Sequence, residues 1–267
     1  MTRTLLLLLA TTGCAARGQG MQITQVPEDT WDPSEKDVVR LELVRALVDR
    51  GLYQDALSLI GELRKGGMSG DELDLMQAEC LLGLGLHAEA EQLLSRGLNR
   101  NPERYRLQGI SYLDQKRVDE AIEQFELALR YTPKRGAEAE RAALENNLGF
   151  ALAAADRHLE AIDAYSTALL LDPSLTRARN NLGFSLAALE RDEEAFAVFR
   201  AVFESQSVPP LTAEANAHYN LGLARAARGD SDGARESLTR ALQLAPDHER
   251  ARDALASLTE PPAPESP

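Results

Sequence analysis

The chain repeats itself. Residues 142–175 read AALENNLGFALAAADRHLEAIDAYSTALLLDPSL, and variants of this segment recur before and after it. Taking the small residue Ala161 as the ruler, Ala56, Ala90, Ala121, Ala195 and Ala234 fall in register, at successive spacings of 34, 31, 40, 34 and 39 residues. Six units follow, with a period of 34, one deletion and two short insertions. Self-similarity at this period restricts the chain to architectures in which each unit rests on its neighbours in sequence.

Inside each unit the apolar residues fall at helical spacing. Leu148, Gly149 and Leu152 mark one helix, and Ala161, Ile162, Tyr165, Ala168 and Leu169 mark a second. The Leu-Gly pair returns at Leu182-Gly183 and Leu221-Gly222, and a proline closes units at Pro102, Pro133, Pro173 and Pro246. Between the two helices three units carry Gly51, Gly85 or Gly229, suited to the left-handed backbone that ends a helix. Ala161 is small so that the paired helices approach closely. One unit alone cannot fold: about eight apolar side chains at ~1.5–3 kcal/mol each do not clearly exceed an ordering cost of ~1–2 kcal/mol per residue. Stacking supplies the remainder.

These units resemble tetratricopeptide repeats over residues 37–247. Tyr105 stands where that family often has tryptophan, and Gly109, Gly149, Gly183 and Gly222 stand at its first glycine, whereas the first two units carry Val44 and Ala78 there. The resemblance implies an all-α, right-handed superhelical solenoid of about six helix-turn-helix units, at about 37–70, 71–102, 103–133, 142–175, 176–209 and 215–247. The extra residues 134–141 are expected to extend the leading turn of a helix, and 205–211 to form a longer loop. Residues 248–259 place Ala251, Leu255 and Leu258 on one face, as a capping helix requires. The proline-rich end, 260–267, reads as disordered.

The first residues, MTRTLLLLLATTGCAARGQG, give an arginine, a short apolar core and small residues before Cys14. This reads as an export signal, too short to span a bilayer. It resembles a bacterial lipoprotein signal, which implies cleavage after residue 13 and lipidation at Cys14, with Ala15 pointing to the outer membrane. Thr12 and Gly13 fit that pattern and Thr11 departs from it. Residues 14–36 lack helical periodicity and read as a tether, in which Trp31 precedes the first helix. The other cysteine, Cys80, sits among Leu75, Leu81 and Leu84 and reads as a small buried hydrophobe.

The net charge of −13 argues against nonspecific binding to nucleic acid or anionic membranes and leaves proteins as the expected partners. No acid/base or nucleophile constellation is present in the sequence, and the four histidines lack metal-ligand spacing. Arg228-Gly229-Asp230 reads as an ordinary inter-helix turn. We therefore expect no enzymatic activity, no metal, no cofactor and no small-molecule substrate.

Function is expected on the inner wall lined by the first helix of each unit. Just before each Leu-Gly stand Asn146-Asn147, Asn180-Asn181 and Tyr219-Asn220; an amide pairs with the backbone of an extended peptide as both donor and acceptor. One turn on lie Phe150, Phe184 and Leu223, and Arg177 adds a cation. These ten residues form the candidate peptide-binding face. The competing reading is that Asn147, Asn181 and Asn220 only satisfy neighbouring helices, with Asn146 and Asn180 the extra groups. The whole resembles bacterial tetratricopeptide lipoproteins of envelope machines, such as pilus secretins, secretion systems or gliding-motility complexes. That resemblance implies a scaffold facing the periplasm; the alternative is a soluble intracellular adaptor or co-chaperone recognising peptide tails.

Overall fold

A computed structural model describes residues 33–96 and 100–258. The expected signal, Cys14, most of the tether and the tail 260–267 lie outside them. Thirteen helices and no strand are found among the described residues, so the all-α expectation holds. None of these helices is long and apolar enough to cross a membrane.

The chain divides into two compact units, residues 1–86 and 87–267. The first contains α1 (Pro33–Asp49), α2 (Tyr53–Lys65) and α3 (Asp71–Gly83). Its core is Val44, Ile60, Leu63, Leu73, Met76 and Cys80. Cys80 is fully buried, and burial pushes its thiol up to about 11, which removes it from thiolate chemistry.

The second unit contains α4 (His87–Leu94), α5 (Pro102–Asp114), α6 (Val118–Tyr131), α7 (Glu138–Ala154), α8 (His158–Leu171), α9 (Thr176–Ala188), α10 (Asp192–Ser205), α11 (Pro210–Ala227), α12 (Ser231–Leu244) and α13 (Glu249–Ser257). Each helix packs on the next in the chain, and α7 on α9 and α9 on α11 pack as well. That is the contact pattern of stacked hairpins.

Two devices make every hairpin alike. The ruler alanines Ala56, Ala90, Ala121, Ala161, Ala195 and Ala234 are all fully buried. The turns at Gly51, Gly85, Lys116, Asp156, Glu190 and Gly229 all have positive φ, whether or not glycine is present. Each closes with the same pair of bonds; at Glu190 they run from its N–H to Ala187 O (3.0 Å) and from Arg191 N–H to Leu186 O (3.0 Å). The second bond is the 6→1 link of a Schellman motif, which satisfies a carbonyl that the helix end leaves open.

The family glycines serve packing. A Cβ on Gly109, Gly149 or Gly183 would stand 2.5–2.7 Å from a ring carbon of Phe125, Tyr165 or Phe199, the aromatic residue sixteen positions on in the partner helix. Two arginines, Arg104 buried and Arg141 half-buried, then stitch consecutive hairpins. Arg104 Nη1 donates to Leu94 O (2.6 Å) at the end of α4, and Arg141 Nη1 donates to Leu129 O (3.1 Å) in the last turn of α6. A cation at a helix C-terminus both fills open carbonyls and opposes the dipole.

Helix starts differ from expectation in three places. The stretch 205–211 is not all loop: α11 begins at Pro210, a residue whose fixed φ and missing N–H suit a first helical position. Likewise α1 begins at Pro33, inside the expected tether. Pro102 does not close the second unit but opens α5, where Asn101 caps it by accepting from Glu103 N–H (3.0 Å).

A candidate peptide-binding groove

The first helices α7, α9 and α11 lie side by side, and between them opens a cleft of about 530 Å³. Phe150 and Phe184 form its rims, 52% and 38% exposed. Phe184 is held edge-on to buried Phe199, with ring centroids 5.1 Å apart and planes at 70°. Tyr165 forms part of the lining from the second helix, and burial pushes its phenol up, so it stays a neutral hydroxyl. Ala153, Ala188 and Ala227 keep the wall low enough for a backbone to approach.

The asparagines divide into two roles. Asn181 lines the cleft, yet its Nδ2 donates to Asn146 Oδ1 (3.1 Å), and Asn146 Nδ2 reaches Asn147 Oδ1 at 3.5 Å. Asn146 is only 8% exposed. Its expected place as an open groove amide is therefore corrected: it forms a rung between consecutive hairpins. The next rung is not made, since Asn180 Oδ1 is buried without a hydrogen-bond partner among the described residues. Asn220 and Leu223 are half-buried, Arg177 is exposed on the first turn of α9, and Tyr219 packs against His248 with centroids 5.0 Å apart. Of the ten expected residues, Phe150, Asn181 and Phe184 line this cleft.

Sequence reading missed the charged edge. Asp192 opens α10 and is held by both Arg228 (Nη1 to Oδ1, 2.6 Å; Nη2 to Oδ2, 3.0 Å) and Arg225 Nε (2.8 Å). Hydrogen bonds from Arg228 pull its carboxyl below the usual aspartate range; burial opposes them and Arg225 adds to them. Arg228 also lines the cleft and donates to Ala187 O (2.5 Å), tying α9 to α11. Asp156 lines it too, with a nearly fully exposed side chain and His158 Nε2 at 3.2 Å. A chain gap of 36 residues hides the Arg228–Asp192 pair from any local motif.

A second cavity of about 680 Å³ lies against α11 and α12, lined by His218, Arg225, Arg235, Glu236 and Arg240 among others. Burial lowers the His218 imidazole, keeping it neutral near pH 7. Opposite charges alternate there, and no set of three or more His, Cys, Asp or Glu able to hold a metal occurs among the described residues.

The stacked hairpins and first-helix groove define a helical-repeat interaction scaffold. Models of the tetratricopeptide repeat match residues 41–105, 75–139 and 106–174, and also 215–248; this chain belongs to the tetratricopeptide repeat family. No curated protein sequence matches it significantly. Among solved structures it is similar to YrrB, described as a tetratricopeptide protein with an unusual peptide-binding site, at TM-score 0.52 and 25% identity over 73% of this chain and 95% of YrrB. It is also similar to Pseudomonas aeruginosa pilF, at TM-score 0.61 and 16% identity over 84% of this chain and 98% of that one. The Cut9 complex with Hcn1 aligns at TM-score 0.62 and 17% identity, over 85% of this chain and 44% of that one. The last two similarities concern fold alone.

Proposed function

We propose that this protein is a non-catalytic scaffold that holds a segment of a partner protein in the cleft between Phe150 and Phe184. The observation carrying this reading is the pair of exposed phenylalanines on a groove floored by small residues. Large aromatic side chains left partly in solvent beside a low wall are anchors for association, and the contact of Phe184 with Phe199 leaves part of its ring open to a partner. The similarity to YrrB, a tetratricopeptide protein with an unusual peptide-binding site, supports the same reading. Replacing both Phe150 and Phe184 by alanine should weaken capture of selected peptides at least ~10-fold, about 1.4 kcal/mol, with helicity unchanged. Full retention of binding overturns the proposal.

We further propose that the scaffold is a lipoprotein of the cell envelope, anchored through Cys14 and assisting a multiprotein machine such as a pilus, secretion or gliding complex. This rests on the amino-terminal residues alone: the apolar run, the small residues and Cys14. Mass spectrometry of the mature chain decides it. An acylated Cys14 at the amino terminus supports the anchor; an unmodified Met1 leaves the soluble intracellular adaptor instead.

A further inference from the structure

The charge along the cleft says what kind of segment fits. The hairpin turns at its edge carry Asp156, Glu190, Asp192 and Asp230, four acids, against the two guanidinium groups of Arg225 and Arg228. Both guanidinium groups are already committed to Asp192, and Arg228 to Asp230 as well. The neighbouring Arg157 and Arg191 are matched one to one by Glu160 and Glu194. The edge therefore holds an excess of two negative charges, and the one with an almost fully exposed carboxylate, Asp156, lines the cleft itself.

We propose that the occupant is an internal peptide segment with a bulky apolar side chain between Phe150 and Phe184 and a lysine or arginine at Asp156. This inference rests on the groove reading above. Phe150 stands four residues before the end of α7 at Ala154, about 6 Å along the axis, and Asp156 follows two residues later in the left-handed turn, a separation of roughly 6–10 Å that about three extended residues cover. The apolar anchor and the basic residue thus stand about three positions apart. A terminal carboxylate is a poor occupant of that edge, because Asp156 repels it and both nearby arginines are neutralised.

The test is selection of capped random dodecapeptides on the full chain, followed by fluorescence anisotropy of the enriched peptides. Enrichment of Lys or Arg about three positions from Phe, Leu or Trp is expected, and exchanging that base for Glu should weaken binding about fivefold or more. The Asp156→Lys variant should reverse the preference. Enrichment of acidic peptides, no enrichment, or unchanged preference in Asp156→Lys overturns the charge assignment. If peptides still bind the F150A/F184A variant with full affinity, the groove reading itself fails. If that variant loses binding while Asp156→Lys keeps its preference, only the basic partner is wrong. Sedimentation that finds the cleft blocked by a second copy, with dimers abolished by F150A/F184A, also overturns the proposal.

Discussion

Gly183 on α9 lies directly beneath the ring of Phe199 on α10: a single added Cβ would stand 2.5 Å from Phe199 Cε1. Phe199 is fully buried and also supports the cleft residue Phe184. Gly183→Ala should therefore cost about 1–3 kcal/mol by overpacking and weaken peptide binding through Phe184. Phe199→Leu in the same chain should recover part of the loss, a non-additivity visible in urea melts.

Glu190 occupies a left-handed turn at φ 60° that Gly51 and Gly229 fill in other repeats. Its Cβ crowds the backbone there, and glycine relieves the clash while adding some chain entropy in the unfolded state. Glu190→Gly should raise stability by up to about 1 kcal/mol, read as a shift in denaturation midpoint at constant slope. Asp156→Gly should gain less, since aspartate tolerates this conformation better.

Asp192 links α10 to Arg225 on α11 and to Arg228 at its C-cap, and its folded carboxyl lies below the ordinary aspartate value of 3.8. A depressed folded pKa contributes stability that is fully present above the unfolded value and is lost as pH falls through the folded one. Wild type should thus lose stability below about pH 4, and Asp192→Asn should flatten that acid limb. At pH 7 the same substitution should cost roughly 1.5–3 kcal/mol, the range for hydrogen bonds to charged groups.

The rung between Asn146 and Asn181 separates folding from binding. Asn146→Ala leaves Asn181 without its acceptor, so it should lower stability by about 1 kcal/mol. Asn181→Ala should lose a similar amount and also weaken captured peptide, because Asn181 lines the cleft and Asn146 is buried beside it. A double-mutant cycle should return a coupling of ~0.5–1.5 kcal/mol; additive losses would sink the rung.

Much of this was legible before any coordinates, and for physical reasons. Ala161 and its equivalents have to be small where helices cross, so the repeat shows in sequence. Phe150 and Phe184 show because they recur one turn after the asparagine pairs, at equivalent places in two repeats. Asn146 misled because its partner Asn181 lies 35 residues away, one more than the period, so equivalent positions in the alignment are not the ones that touch. Proline misled likewise: Pro102 and Pro173 align by spacing, but the deletion between the second and third units moves Pro102 to the start of a helix. The Arg228–Asp192 knot had no local sign at all, because ion pairs between neighbouring hairpins are set by side-chain reach and leave no spacing rule.

The uniform turns and the variable joints divide the labour of change. Insertions and the deletion fall at the links between hairpins, at residues 134–137 and 206–209 and just after Pro102, while all six Schellman closures persist. A gain or loss of residues at a link reorients the next hairpin as a block and leaves its interior untouched. Such a protein can acquire a new docking partner by re-aiming finished parts, without reinventing what holds each of them shut.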